Sequence, residues 1–260
     1  MKTPRAIVLR AAGINCDRES QAACQKVGFQ ADIVHVNRLI ERPVRLQDYQ
    51  FLIVPGGFSY GDDLGAGKVL GNEIRSKLLE AFRDFVKDGK LILGICNGFQ
   101  IMVKAGLLPD PFGDSRSTLT LANNDSGKFE DRWIRLKVSS TKSEFLKEEE
   151  ILELPVAHGE GKFLPVDRGA LDRWERGGQL VLRYVNLEGQ EAGYPWNPNG
   201  SIAGVAGICD PSGRVLGLMP HPERYQDAVN HPQWTRRERT IPPDGLKFFR
   251  NAHEYVKRNL

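Results

Sequence analysis

The chain has 260 residues, with 36 basic side chains against 33 acidic ones and a formal net charge of +3. That balance gives no electrostatic footprint for nucleic acid. With 40% hydrophobic and 27% charged residues the composition is that of a globular protein with a substantial core, and no run approaches the ~18 apolar residues of a membrane span.

The start, Met1-Lys2-Thr3-Pro4-Arg5, leads into Ala6-Ile7-Val8-Leu9, an apolar run too short for a signal-peptide core and read instead as a first strand. Asp17 to Val27 reads as a helix ended near Gly28, Ala31 to Val36 as a second strand, and Phe51 to Val54 as a third, stopped by Pro55-Gly56-Gly57. The spacing of Ile74, Leu78, Leu79, Phe82, Phe85 and Val86 predicts a helix over Asn72 to Lys87, capped by Gly89. Leu91 to Ile95 is a fourth strand, and a helix starts at Phe99 and runs to Ala105. Short, nearly continuous apolar strands alternating with helices predict an α/β fold with a doubly wound, mostly parallel sheet flanked by helices.

Beyond this the pattern changes. Trp133 to Val138 alternates like an antiparallel strand, and Ile151 to Ala157, Gln179 to Asn186 and Ser201 to Cys209 are also strand-like. These predict antiparallel strands added to the parallel core. Val215 to Met219 returns to a buried strand. Asn230 to Asp244 is a polar loop in which Arg236, Arg237 and Arg239 are expected to be solvated. Gly245 to Arg258 is a terminal amphipathic helix with Leu246, Phe249, His253 and Val256 inward.

The chemistry centres on Gly94-Ile95-Cys96-Asn97-Gly98, directly after Leu91-Ile92-Leu93. An apolar strand ending in Gly-x-Cys-x-Gly has the form of a nucleophile elbow, a sharp strand-to-helix turn that presents its central side chain. The positive end of a helix dipole favours a thiolate over a thiol. The other cysteines, Cys16, Cys24 and Cys209, make no CxxC pair with it or with one another. That spacing argues against zinc and a disulfide framework, and for a reducing cytoplasm.

A thiol nucleophile needs a base, and the base an orienting group. Of five histidines, His35 lies inside a strand-like run, His253 on the terminal helix, and His231 in the irregular loop with no evident role. His158 sits in the turn Ala157-His158-Gly159-Glu160-Gly161. His221, in Pro220-His221-Pro222-Glu223 after the last core strand, is the best candidate, because α/β proteins place their sites at strand ends. Glu223, two residues on in an extended segment, points the same way and can accept the imidazole Nδ1–H. The turn Pro55-Gly56-Gly57 is a natural source of free backbone N–H groups for an oxyanion hole, with the Asn97 N–H as the other donor.

Together, Pro55-Gly56-Gly57-Phe58-Ser59-Tyr60-Gly61-Asp62, Cys96-Asn97-Gly98-Phe99-Gln100, His158-Gly159-Glu160-Gly161 and Met219-Pro220-His221-Pro222-Glu223-Arg224 resemble the class I (triad) glutamine amidotransferases, over nearly the whole chain. The match is closest to members that serve purine biosynthesis. The resemblance implies a single, flavodoxin-like amidotransferase domain over residues 1–260. It implies Cys96 as nucleophile on L-glutamine, His221 as proton shuttle and Glu223 as its orienting group. Gly57 and Asn97 would form the oxyanion hole, and Gln100, Phe58 and His158 would contact substrate. It further implies no metal or cofactor in this chain. Ammonia would pass to a synthetase subunit that uses ATP and magnesium to convert formylglycinamide ribonucleotide to its amidine, with a small bridging subunit between them. Two features depart from the compact bacterial pattern: the loop Ala11-Ala12-Gly13-Ile14-Asn15-Cys16, where Pro-Gly before Asn-Cys is commoner, and the segments Tyr194 to Gly200 and Asn230 to Asp244, which are more similar to long single-chain synthases.

Three other readings share part of the pattern. An amidotransferase subunit of another pathway would carry the same triad. A silent binding module would be expected to lose Cys96, His221 or Glu223. A cysteine hydrolase of small amides explains the elbow but not the Phe58 to Asp62 or His158 to Gly161 runs.

Overall fold

A computed structural model describes residues 3–41, 45–113, 118–238 and 242–260; Met1, Lys2 and Arg239 lie outside them. The first half runs β1 (Arg5–Arg10), α1 (Asp17–Lys26), β2 (Gln30–His35), α2 (Val36–Ile40), β3 (Phe51–Val54), α3 (Lys68–Lys77), α4 (Leu79–Lys87), β4 (Leu91–Ile95) and α5 (Asn97–Ala105). The second runs β5 (Leu119–Asn123), β6 (Glu130–Val138), β7 (Ile151–His158), β8 (Glu160–Pro165), α6 (Arg168–Arg176), β9 (Leu180–Val185), β10 (Val205–Cys209), β11 (Val215–Leu218) and α7 (Asp244–Asn259).

The main sheet has the order β2-β1-β3-β4-β11-β10-β9-β6-β7. Its first five strands pair in parallel, and β10, β9, β6 and β7 extend it by antiparallel pairing. Every residue of β3, β4 and β11 is buried. Successive side chains on a strand point to opposite faces, so full burial means that both faces are covered. β5 and β8 form a separate antiparallel pair. One hydrophobic cluster runs from Ala6 to Val256. Among the described residues no helix is long and apolar enough to cross a membrane.

Several boundaries differ from the sequence expectation. The helix predicted over Asn72 to Lys87 is two helices, broken where Leu78 leaves helical geometry at φ −128°. The break coincides with a change of neighbour: α3 lies against α5 and α4 against β4. β2 stops at His35, whose Nδ1 accepts from the Asn37 N–H at 3.3 Å and caps α2. Ile202–Gly204 is a 3-10 turn with Ala203 at φ 52°, and it delays β10 to Val205. The strands β5 and β8 and the helix α6 went unread. β5 and β8 bury only alternate residues, and α6 buries only Ala170 and Trp174 behind an Asp167 cap. The inward face of α7 is also rotated: Phe248, Phe249, Ala252, Tyr255 and Val256 are buried, while Leu246 and His253 are half-buried. His253 nevertheless packs edge-on against Phe29, with centroids 5.0 Å apart. The Asn230 to Asp244 loop is not simply solvated. Arg237 pairs with Glu153, and His231 is buried against Trp133 with its Nε2 3.4 Å from Glu153.

Candidate active site

Strand order assembles the site. β3, β4 and β11 are parallel neighbours with Val54 opposite Gly94 and Ile95 opposite Leu218. Their C-terminal ends therefore deliver Pro55-Gly56-Gly57, Cys96 and Pro220-His221-Pro222-Glu223 to one edge, as open α/β sheets do. The loop after β1 joins them through the bridge between Ile14 and Gly57.

Cys96 has φ 51° and ψ −107°, a left-handed conformation that costs a non-glycine residue about 1–3 kcal/mol and marks functional turns. Its backbone is held on both sides: its N–H donates to the Leu218 carbonyl at 2.8 Å and its carbonyl accepts from Gln100 N–H at 3.1 Å. Gly98 permits the turn by close approach, since a Cβ there would lie 1.8 Å from the Val54 carbonyl oxygen. Gly98→Ala is therefore expected to destabilise the fold by about 3 kcal/mol, the upper end of ordinary overpacking, because the clash is with backbone. Urea denaturation checks this, and a wild-type midpoint would contradict the packing argument.

The Cys96 Sγ is 3.6 Å from the Ala157 carbonyl and near enough to the His221 ring to favour the imidazolium. His221 is 1% exposed and its Nδ1 is 2.5 Å from Glu223 Oε1. A carboxylate accepts, so Nδ1 carries a proton in either charge state of the ring, and Nε2 is the nitrogen left to exchange one. That Nε2 is buried without a hydrogen-bond partner among the described residues, as is Glu223 Oε2. Burial opposes charging the ring, but the Glu223 carboxylate and the nearby thiols outweigh it and hold the His221 pKa well above the usual histidine value. The Pro222–Arg224 segment is a 3-10 turn, not the extended segment expected. Pro222 fixes the turn's entry, and the carboxylate reaches the ring by this tighter path.

His158 closes β7 and has the opposite character. Asn124 Nδ2 donates to the carbonyls of His158 and Lys128 at 2.7 and 2.9 Å, which leaves Asn124 Oδ1 to accept from His158 Nδ1 at 3.1 Å. Burial, and then the charge of His221, push its pKa down to about 4. Two neighbouring imidazoles are thus held in different protonation states, the pattern expected where one of them moves protons.

The other expected residues divide. Gly57 has φ 147°, and neither its N–H nor that of Asn97, the first residue of α5, makes a hydrogen bond among the described residues. The Asn97 side chain ties the loops together, accepting from Ser59 N–H at 3.1 Å and donating to Asp62 Oδ1 at 3.2 Å and Gln100 Oε1 at 3.0 Å. Gln100 Nε2 donates to the Glu160 carbonyl at 2.5 Å, so both ends of its amide are engaged within the protein. Phe58 is 46% exposed and stacks obliquely on Phe129 with centroids 6.2 Å apart. Cys16 and Arg224, which the sequence reading gave no role, also reach the site: an Arg224 guanidinium nitrogen lies 3.1 Å from Cys16 Sγ. The available signal was position, since Cys16 follows the end of β1, next to β3 in the sheet.

A family model described as a CobB/CobQ-like glutamine amidotransferase domain matches residues 3–256. The phosphoribosylformylglycinamidine synthase subunit PurQ of Dehalococcoides mccartyi is 43% identical, the match covering 99% of this chain and 100% of the relative. The subunit of the same name from Methanococcus maripaludis is 40% identical, covering 98% and 99%. Among solved structures, PurLQS from Thermotoga maritima aligns with a TM-score of 0.74 at 34% identity, covering 98% of this chain and 100% of that one.

Proposed function

The chain belongs to the CobB/CobQ-like glutamine amidotransferase family, and from that premise we propose that it is the glutaminase subunit of a phosphoribosylformylglycinamidine synthase acting in purine biosynthesis. The observation that carries the mechanism is the buried His221–Glu223 pair at 2.5 Å, with its free Nε2 beside the cysteine of a strained elbow.

Cys96 Sγ attacks the side-chain amide carbon of glutamine while His221 Nε2 takes the thiol proton. The developing oxyanion is met by the Gly57 and Asn97 N–H groups. His221 then passes the proton to the departing nitrogen, the C–N bond breaks, and ammonia leaves a γ-glutamyl thioester on Cys96. Water, deprotonated by His221, attacks the thioester carbon, releasing glutamate and returning the thiol. Glu223 keeps the imidazole in the working tautomer and stabilises the imidazolium. Gln100 and His158 shape the wall beside Cys96, and Phe58 flanks the entrance.

Ammonia goes to a synthetase subunit, on which ATP and magnesium would bind. The continuous hydrophobic cluster supports reading the chain as one amidotransferase domain, and the four free cysteines fit a cytoplasmic setting.

An electrophilic glutamine analogue is expected to label Cys96 and to spare Cys16, Cys24 and Cys209, as mapped by peptide mass spectrometry. Cys24 and Cys209 are buried, and burial pushes both thiols up, Cys209 to about 12. Equal labelling of all four would remove the case for a dedicated nucleophile.

A further inference from the structure

Cys16 puts a second sulfur against the imidazole. It is 1% exposed and precedes α1 as its N-cap residue. Its backbone is fixed: its N–H donates to the Gly56 carbonyl at 3.3 Å, and its carbonyl accepts from the Ser20 N–H and Oγ at 3.1 and 2.7 Å. The sulfur is fixed as well, donating to Asn15 Oδ1 at 3.2 Å and accepting from Arg224 at 3.1 Å. Cys16 Sγ, a ring nitrogen of His221 and a carboxylate oxygen of Glu223 all lie within 4.8 Å of one another. Cys16 has φ −101° and no elbow, so it lacks the strained presentation that Cys96 has at φ 51°.

Glu223 alone anchors the ring through one nitrogen and leaves rotation about that bond open. The opposite restraint comes from the ring's Cε1 edge. A Cβ built on Gly56 would lie 2.8 Å from His221 Cε1 and 3.4 Å from Cys16 Sγ, so ring edge, sulfur and the Gly56 backbone border the same narrow space. Arg224 spans the two anchors, with one nitrogen on Cys16 and its Nε 4.0 Å from Glu223 Oε1.

We propose that Cys16 and Arg224 are positioning residues that hold the His221 ring in line with Cys96 for proton transfer. The inference rests on the reading of His221 as the base. The charged or titratable groups acting on the ring are Glu223 from its own turn, Cys96 from the elbow and Cys16 from the β1–α1 loop. Arg224 adjoins this set, and His158 of β7 is electrostatically coupled to it. The Cys16 sulfur favours the imidazolium, so its removal depletes, as pH rises, the protonated ring that delivers a proton to departing ammonia.

The test uses the chain reconstituted with its synthetase, as wild type, Cys16→Ala, Cys16→Ser and Arg224→Met. Cys16→Ala is expected to lower kcat for glutamine hydrolysis between about 10- and 100-fold, the range for a small misplacement of a reacting group, with KM for glutamine unchanged. The alkaline limb of its pH profile should move to lower pH, because that limb reports loss of the imidazolium proton. Cys16→Ser should recover part of the loss, Arg224→Met should lower kcat with KM for glutamine unchanged, and synthesis from ammonium should be unchanged. Wild-type kcat and alkaline limb in Cys16→Ala would overturn the proposal. So would a parallel loss of ammonium-dependent synthesis, which marks a merely structural role. If Cys16→Ala does not fold, the Ser and Met variants decide by the same criteria. Failure of the wild-type complex to release ammonia from glutamine would instead overturn the proposed function itself.

Discussion

Cys96→Ala is expected to abolish glutamine-dependent amidine synthesis in the complex while leaving synthesis from added ammonium at the wild-type rate. The loss should be at least about 10⁴-fold, the scale on which removal of a covalent nucleophile acts. Ammonium bypasses the thioester, so the synthetase step does not register the missing sulfur. The substitution is mild for the fold. The sulfur makes a long 3.6 Å contact to the Ala157 carbonyl, and alanine meets the same left-handed strain at φ 51° that cysteine already bears. The elbow is held by backbone, through Leu218 and Gln100, and none of that involves the side chain. The measurement is amidine formation with glutamine and with ammonium as alternative nitrogen sources. Loss of both would make Cys96 structural, and retention of both would remove it from the chemistry.

What was legible in the sequence follows what each signal depends on. The parallel half could be read because β3 and β4 are buried along their length and β1 at all but its two end residues, so apolar runs and the Gly-rich breaks after them mark the strands directly. The triad could be read because its members sit where strands end, and strand ends are punctuated by Gly94, Gly98, Pro220 and Pro222. The break at Leu78 was illegible, since the apolar spacing of Ile74, Phe82 and Phe85 continues across it and only the change of packing partner accompanies it. The β5–β8 pair escaped for a similar reason: its half-exposed strands carry little apolar signal, and pairing partners 37 or more positions apart, such as Thr120 with Leu164, leave no local trace. Cys16 was overlooked because a lone cysteine before a helix has no pattern. Its meaning comes from Arg224, 208 positions away, which only the fold brings to it. The second half of the site is thus a tertiary fact, whereas the elbow is a local one.

Glu223→Gln tests the division of labour within the triad. Glutamine keeps the shape and one acceptor oxygen but removes a buried negative charge, in a side chain that is 0% exposed. In the wild type that charge is the first contribution that raises the His221 pKa against the desolvation that lowers it. With the charge gone, burial dominates, and the folded protein holds its imidazolium only to a lower pH. The sign is therefore fixed: the alkaline limb of kcat must move down in pH, not up. The amide can also turn its NH₂ toward Nδ1, which selects the tautomer with the proton on Nε2 and leaves no lone pair to take the Cys96 proton. Both effects act on the transition state rather than on bound glutamine. The expected result is a fall in kcat of about 10²- to 10⁴-fold, with KM changed by less than about threefold and ammonium-dependent synthesis intact. A variant with normal kcat and a raised KM would show that the carboxylate serves substrate binding, and an unshifted alkaline limb would show that its charge does not set the state of His221.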